Sequence, residues 1–382
     1  MEAQLTQKTV EEARKNLLRV AEVLNRVLVG REEEVEAAML ALVAREHLVM
    51  IGPPGTGKTM LATTAARLLG VKAYTALLTK YTTLDEVVGP IDIVALRNGE
   101  VKRRWSYIVD SWIIFLDEIF KASPALLNSL LSLLNERVLY DPFTGSAVPA
   151  KLWTAMAASN ETPQDDELQA LYDRFAVKVF VKPIAENAEL MAKALEAKWM
   201  NGAEKVEQVA SPEDVAMLHE YAMSLAPDAV KLYQKYVLPL VQMAHARGIF
   251  VSDRTVIEKL FKLFLAHLAL RGGADEGAAA FVAAKVIKYV ARTPEEVSAL
   301  NNAVRDALGK IGELQNKLEE AKRLYQLGQY KSALAKFKEI VLDDVEELSD
   351  KPWLRGYVNA IVEEAQQYIQ KINGLVNKVK VR

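Results

Sequence analysis

The chain has 382 residues, enough for two or three domains, and contains no cysteine, which excludes disulfides, thiolate zinc sites and a cysteine nucleophile. Hydrophobic residues make up 51% and charged residues 26%, the balance of a soluble globular protein. A net charge of −2 gives no pull toward nucleic acid or an anionic membrane, and no uncharged apolar stretch reaches the ~20 residues of a bilayer span.

Met1-Glu2-Ala3-Gln4 lacks the basic-then-apolar order of a secretory signal, so a cytoplasmic location is expected. His47, His219, His245 and His267 are scattered without helical ligand spacing and read as ordinary core or surface side chains. Residues 9–28 place Val10, Ala13, Leu17, Val20 and Leu24 on one helical face. Leu28-Val29-Gly30 breaks that pattern, and a second helix is expected over 32–44. Strands and helices then alternate: strand 47–51, helix 58–69, strands 73–78 and 112–117, helix 124–136, strands 152–159 and 176–181. Short apolar runs between helices argue for a mainly parallel sheet covered on both faces.

Two insertions interrupt this order. One runs from 88 to 105 with a hairpin turn expected at Asn98-Gly99, and the other spans 138–153 with a turn at 141–145. Residues 185–292 read as amphipathic helices. From Pro294 an apolar seam recurs every seven residues, at Val304, Ile311, Leu318 and Tyr325, with Ala307, Leu314 and Ala321 between them. It returns at Leu354, Val358, Ile361, Ala365, Tyr368, Ile372, Leu375 and Val379, which fits antiparallel packing of long helices. Gly328-Gln329-Tyr330, followed by Ala333, Leu334 and Phe337, has the look of a tetratricopeptide repeat, but without a second copy it reads as a helical hairpin turn. The expected domains are therefore 1–184, 185–292 and 293–382.

Gly52-Pro53-Pro54-Gly55-Thr56-Gly57-Lys58-Thr59 leaves the apolar strand Leu48–Ile51 and opens a helix, with Met60 next in its first turn. Glycines there let backbone N–H groups close around phosphate oxygens, and the helix N-terminus favours negative charge. Lys58 would reach the β/γ-phosphates and the Thr59 hydroxyl would ligate Mg²⁺. Ile113-Ile114-Phe115-Leu116 ends in Asp117-Glu118, which supplies a carboxylate for the magnesium shell and, one residue on, a base for the attacking water. Asn160 ends the next predicted core strand, where it could orient that water, contact the γ-phosphate or simply serve a turn. Arg174 reads either as a cation reaching a neighbouring subunit's site or as a surface partner of Asp173. Arg254 follows Ser252-Asp253 at a helix start, either returning to the phosphates or solvated beyond a cap.

With these residues in order, the sequence resembles an AAA+ ATPase of the MoxR family, and most closely its RavA-like branch. The most specific segments are Leu116-Asp117-Glu118-Ile119-Phe120-Lys121-Ala122, the helix from Leu126 to Arg137, Ala157-Ala158-Ser159-Asn160-Glu161, the run from Ala170 to Phe175, and Val251-Ser252-Asp253-Arg254. The resemblance implies an α/β P-loop core, an all-α lid and ATP with Mg²⁺ bound between subunits of a ring, usually hexameric. It assigns Asn160 as sensor 1, Arg174 as the arginine finger acting in trans, with Arg137 second, and Arg254 as sensor 2. Leu28, Val29 and Gly30 would lie near the adenine, and the two insertions would face the central pore. Members typically act as chaperone-like remodellers of protein clients, together with a partner carrying a von Willebrand factor A domain. The wholly helical pattern of 294–382 departs from the RavA-like branch, so partners of that branch's own C-terminal module do not carry over.

Two other functions compete. A nucleic-acid motor has local support only in Lys102-Arg103-Arg104 beside Trp105, a run that usually makes a solvated patch. A nucleotide-dependent scaffold would use the heptad-bearing tail to dock a partner, although a bundle within the chain would bury the same seam.

Overall fold

The computed structural model describes residues 7–141, 143–163, 165–199, 207–308, 310–342 and 355–380. Met1 to Gln4, Pro142 and Leu354 lie outside them, as do the side chains of Ala307, Ile311, Leu375 and Val379. Two compact units emerge: residues 1–184 with 197–221, and residues 185–196 with 222–382.

In the first unit, α1 (Gln7–Val27) buries the stripe from Val10 to Leu24, and α2 (Glu32–Ala44) starts on three glutamates that favour a helix N-terminus. β1 (Leu48–Ile51) runs into the glycine loop and α3 (Lys58–Leu69), then β2 (Ala73–Leu77), α4 (Leu84–Val88) and α5 (Ile93–Arg97). β3 (Ile113–Asp117), α6 (Pro124–Glu136), β4 (Val138–Tyr140), β5 (Ala147–Pro149), β6 (Thr154–Ser159), α7 (Asp166–Tyr172) and β7 (Val177–Phe180) follow.

The main sheet has the order β2-β3-β6-β1-β7 and is parallel throughout. Every residue of β1 and β6 is buried, as expected of strands covered on both faces. Placing β1 between β6 and β7 brings the glycine loop beside the carboxyl end of β6, with that of β3 one strand further along the same edge. That edge is where open α/β sheets hold ligands. The expected elements of the core are borne out, with ends shifted by one or two residues.

The first insertion corrects one expectation. Asn98-Gly99 does not close a simple hairpin; it ends α5, with the Gly99 N–H donating to the Leu96 carbonyl at 3.0 Å. The cause is Asp92, whose carboxylate accepts from Val94 N–H and Ala95 N–H and so starts a helical turn. Below α5 the two arms pair antiparallel, with Asp92 N–H on the Lys102 carbonyl and Arg104 N–H on the Pro90 carbonyl. The second insertion is the antiparallel pair β4–β5.

Arg103 corrects another. It is not part of a solvated basic patch: its side chain is fully buried, donating to Asp85 at 2.5 Å, to Asp141 at 3.2 Å and to the Gly89 carbonyl. Asp141 is itself fully buried at the root of the second insertion. Its contacts with Arg103, Phe143 N–H and Thr144 hold its carboxyl below the usual range against the opposing effect of burial. Removing one member of a buried pair leaves the other charge uncompensated. Arg103→Met should therefore lower unfolding free energy by about 3–5 kcal/mol, read in urea titration, with both insertions loosened in hydrogen exchange. An unchanged midpoint would show that the pair contributes nothing.

The second unit contains the start of α8 (Ala188–Trp199) and the end of α9 (Pro212–Ser224). It continues with α10 (Ala226–Ala246), α11 (Phe261–Arg271), α12 (Glu276–Val286), α13 (Pro294–Leu308), α14 (Lys310–Gln326), α15 (Tyr330–Leu342) and α16 (Arg355–Lys380). No strand follows β7 among the described residues, and no helix among them is long and apolar enough to cross a membrane. Leu314, Leu318, Ala321, Ala333, Phe337, Val358, Ile361, Ala365 and Ile372 are buried, so the seam closes as a bundle of α14, α15 and α16. Phe337 stacks on Tyr368 at 4.9 Å, and α16 also packs on α12. The tail's apolar face is therefore largely satisfied within its own unit.

Candidate nucleotide site

The glycine loop is shaped by its neighbours. A Cβ on Gly52 would lie 2.3 Å from the Val181 carbonyl oxygen, so only glycine fits where the loop leaves β1. Gly57 adopts a left-handed conformation (φ 89°) as the residue before α3, a backbone that lets the chain turn into the helix. Among the described residues, no protein acceptor receives the backbone N–H of Gly55, Thr56, Gly57, Lys58 or Thr59. Five unpaired donors at a helix N-terminus form a cradle for phosphate oxygens, which is the chemistry a triphosphate requires.

Lys58 is buried and donates to the carbonyls of Gly52 at 2.6 Å and Pro53 at 2.9 Å. Burial pushes its ammonium pKa down; Asp117 and Glu118 oppose that shift, and Arg31 adds to it. Thr59 and Met60 are exposed in the first turn of α3, where a ligand can reach them. Pro53, Pro54 and Gly55 are likewise exposed.

Beyond the loop, Asp117 ends β3, and one of its carboxylate oxygens accepts from the Glu118 N–H at 3.0 Å. Glu118 has a left-handed backbone (φ 54°), a strained setting for a non-glycine residue and one that recurs at functional sites. Asn160, just past β6, donates its Nδ2–H to Glu118 Oε1 at 2.6 Å. The structure thus brings the expected base Glu118 and the strand-end amide Asn160 into direct contact.

A small cavity adjoins the loop, lined by Leu28, Arg31, Glu34, Met50, Thr56, Gly57, Lys58, Leu61 and Val181. Leu28 comes from the expected base-contact segment, and Val29 and Gly30 are half-buried beside it. The sequence reading missed Arg31 and Glu34. Arg31 donates to Glu34 at 3.3 Å and to the Lys182 carbonyl at 2.6 Å, and burial pushes the Glu34 carboxyl up while Arg31 opposes the shift. Their i,i+3 spacing was the available signal, but it does not announce that both side chains turn inward.

The arginines divide clearly. Arg137 donates to the carbonyls of Leu152 and Arg45, both at 3.1 Å, and so acts as an internal staple rather than a cation reaching outward. Arg174 forms no ion pair among the described residues, and its Nε is buried without an acceptor. Arg254 pairs with Glu258 at 3.0 Å in the second unit, and Ser252 Oγ accepts from the Thr255 N–H as a cap. That helix begins as a π-turn, Thr255–Leu260, before α11.

Sheet order, glycine cradle and acidic strand end together define an AAA+ core, joined to a helical region. A crystal structure from Cytophaga hutchinsonii, described as that of a candidate ATPase, shares this fold with a TM-score of 0.56 at 16% identity, over 76% of this chain and 86% of that one. Residues 15–220 match the model of the MoxR domain in the MoxR-vWA-beta-propeller ternary systems, and the chain belongs to the MoxR family. Two uncharacterized proteins of Methanocaldococcus jannaschii are similar in sequence. MJ0812 is 32% identical over 68% of each chain, and MJ0079 is 31% identical over 62% of this chain and 61% of its own length.

Proposed function

We propose that this protein is a Mg²⁺-dependent ATPase that assembles as a ring and remodels protein complexes in a chaperone-like way. Hydrolysis takes place at the site built by Lys58, Asp117, Glu118 and Asn160. Arg174, with no ion-pair partner among the described residues, would complete a neighbouring copy's site, and Arg254 would serve the same chemistry from the lid. The observation that carries the reading is the 2.6 Å bond from Asn160 to Glu118 beside a cradle of unpaired N–H donors.

ATP would lie with its phosphates on residues 52–59 and its base toward Leu28, Val29, Gly30 and Met60. Thr59 and Asp117 would hold Mg²⁺, which supplies charge neutralisation on the phosphates when bound. Glu118 takes the proton of the attacking water, Asn160 fixes that carboxylate, and Lys58 moves from loop carbonyls to phosphate oxygens.

A protein with a von Willebrand factor A domain is the proposed partner, a reading the matched family description supports. Within the family we place the chain nearest the RavA-like branch, and a hexamer is the expected assembly. A protein client fits the insertions, where Ile93, Val94, Leu96 and Phe143 are all more than half exposed. The burial of Arg103 removes the main local support for a nucleic-acid motor. Affinity capture from the source cells tests the partner, using the full chain carrying Glu118→Gln with ATP and Mg²⁺. Recovery of a protein with a von Willebrand factor A domain supports the reading, and its consistent absence counts against it.

A further inference from the structure

Glu118 is held on both sides. Asn160 occupies Oε1, and the Lys121 ammonium lies 3.2 Å from Oε2. The second contact is an ion pair without hydrogen-bond alignment, because Oε2 is buried and receives no hydrogen bond from the chain. Lys121 ends the short turn Ile119–Lys121 that follows Glu118, and its own side chain is 59% exposed against 14% for Glu118. A base must offer an oxygen within about 2.6–3.2 Å of the water oxygen whose proton it takes, so a carboxylate engaged at both oxygens is poorly placed to act.

We propose that Lys121 is a positioning residue that restrains Glu118, and that its departure frees Oε2 for the attacking water. This rests on the reading of Glu118 as the base. Of the two partners, Lys121 is the one built to leave. Asn160 is fixed just past the end of a fully buried core strand, whereas Lys121 has a flexible four-carbon stem and a side chain already more than half exposed to solvent. An acidic group on a docking protein would draw that ammonium away and raise turnover, which makes the lysine a point of control.

The test is steady-state phosphate release by the full chain as a function of ATP, comparing the parent with Lys121→Met, Lys121→Arg and Glu118→Gln. The exposure of Lys121 makes both of its variants structurally mild. Lys121→Met should raise kcat by about two- to fivefold with KM unchanged, the range one partly exposed ion pair supports, and Lys121→Arg should restore the parental kcat. An unchanged or lower kcat in Lys121→Met, or a rise in Lys121→Arg equal to that in Lys121→Met, overturns the restraint. If Glu118→Gln abolishes turnover while Lys121→Met fails to raise it, only the restraint falls. If Glu118→Gln turns over normally, the base assignment and the restraint fall together.

Discussion

Glu118→Gln should slow phosphate release by about 10²–10⁴-fold while leaving ATP binding intact. The amide keeps the shape of the carboxylate but loses its basicity, so the attacking water keeps its proton. Binding should survive because the phosphate cradle is made by the loop and α3, not by β3. The substitution also places an amide opposite the Asn160 amide, whose Nδ2–H donates to Oε1 in the parent. The carbonyl oxygen of the introduced amide can still accept that bond, so the fold around the site should hold. Rapid-quench hydrolysis and equilibrium binding of a fluorescent ATP analogue separate the two effects. A variant that hydrolyses at the parental rate removes Glu118 from the chemistry.

Arg174→Ala should reduce turnover by about 10³–10⁵-fold in assembled material, again with little change in binding. The position is set by Phe175, fully buried next to β7, and by the end of α7, where the Arg174 N–H donates to the Leu171 carbonyl at 3.0 Å. The guanidinium has no ion pair among the described residues, so truncation breaks none there and stability should change little. Mixing gives a sharper readout. Arg174→Ala and Glu118→Gln proteins should each turn over only slowly alone, but co-assembly creates interfaces where an intact Glu118 meets an intact Arg174. Recovery of activity on mixing is the expected result, and a mixture as inactive as its components would place both residues in one chain's site.

The phosphate loop, the acidic strand end and the core helices were legible because their signals are local. Gly52 to Thr59 follows an apolar strand directly, and Ile113 to Glu118 carries its own burial pattern. What stayed hidden depends on side chains meeting across the fold. Arg103 reads as one of three basic residues on an insertion, until Asp85, the Gly89 carbonyl and Asp141, the last 38 positions later, turn it into a buried anchor. Arg31 and Glu34 look like part of a charged helix start until Met50, Leu61 and Val181 close a cavity around them. Arg137 had the right chain position for a trans-acting cation, yet its backbone is left-handed (φ 57°) and its side chain bonds the Leu152 and Arg45 carbonyls. Lys121 sits inside a family-like segment but gains meaning only from the buried oxygen it faces.

The most direct measurement is retention of radiolabelled ATP by the purified full chain and by Lys58→Ala, in the presence of Mg²⁺ at equilibrium. Loss of one charge-assisted contact to phosphate, worth about 1.5–3 kcal/mol, should weaken binding by roughly ten- to a hundredfold. Tight retention by the parent and that loss in the variant are the predicted results. Equal retention by both proteins, or none by either, would contradict a triphosphate site on residues 52–59.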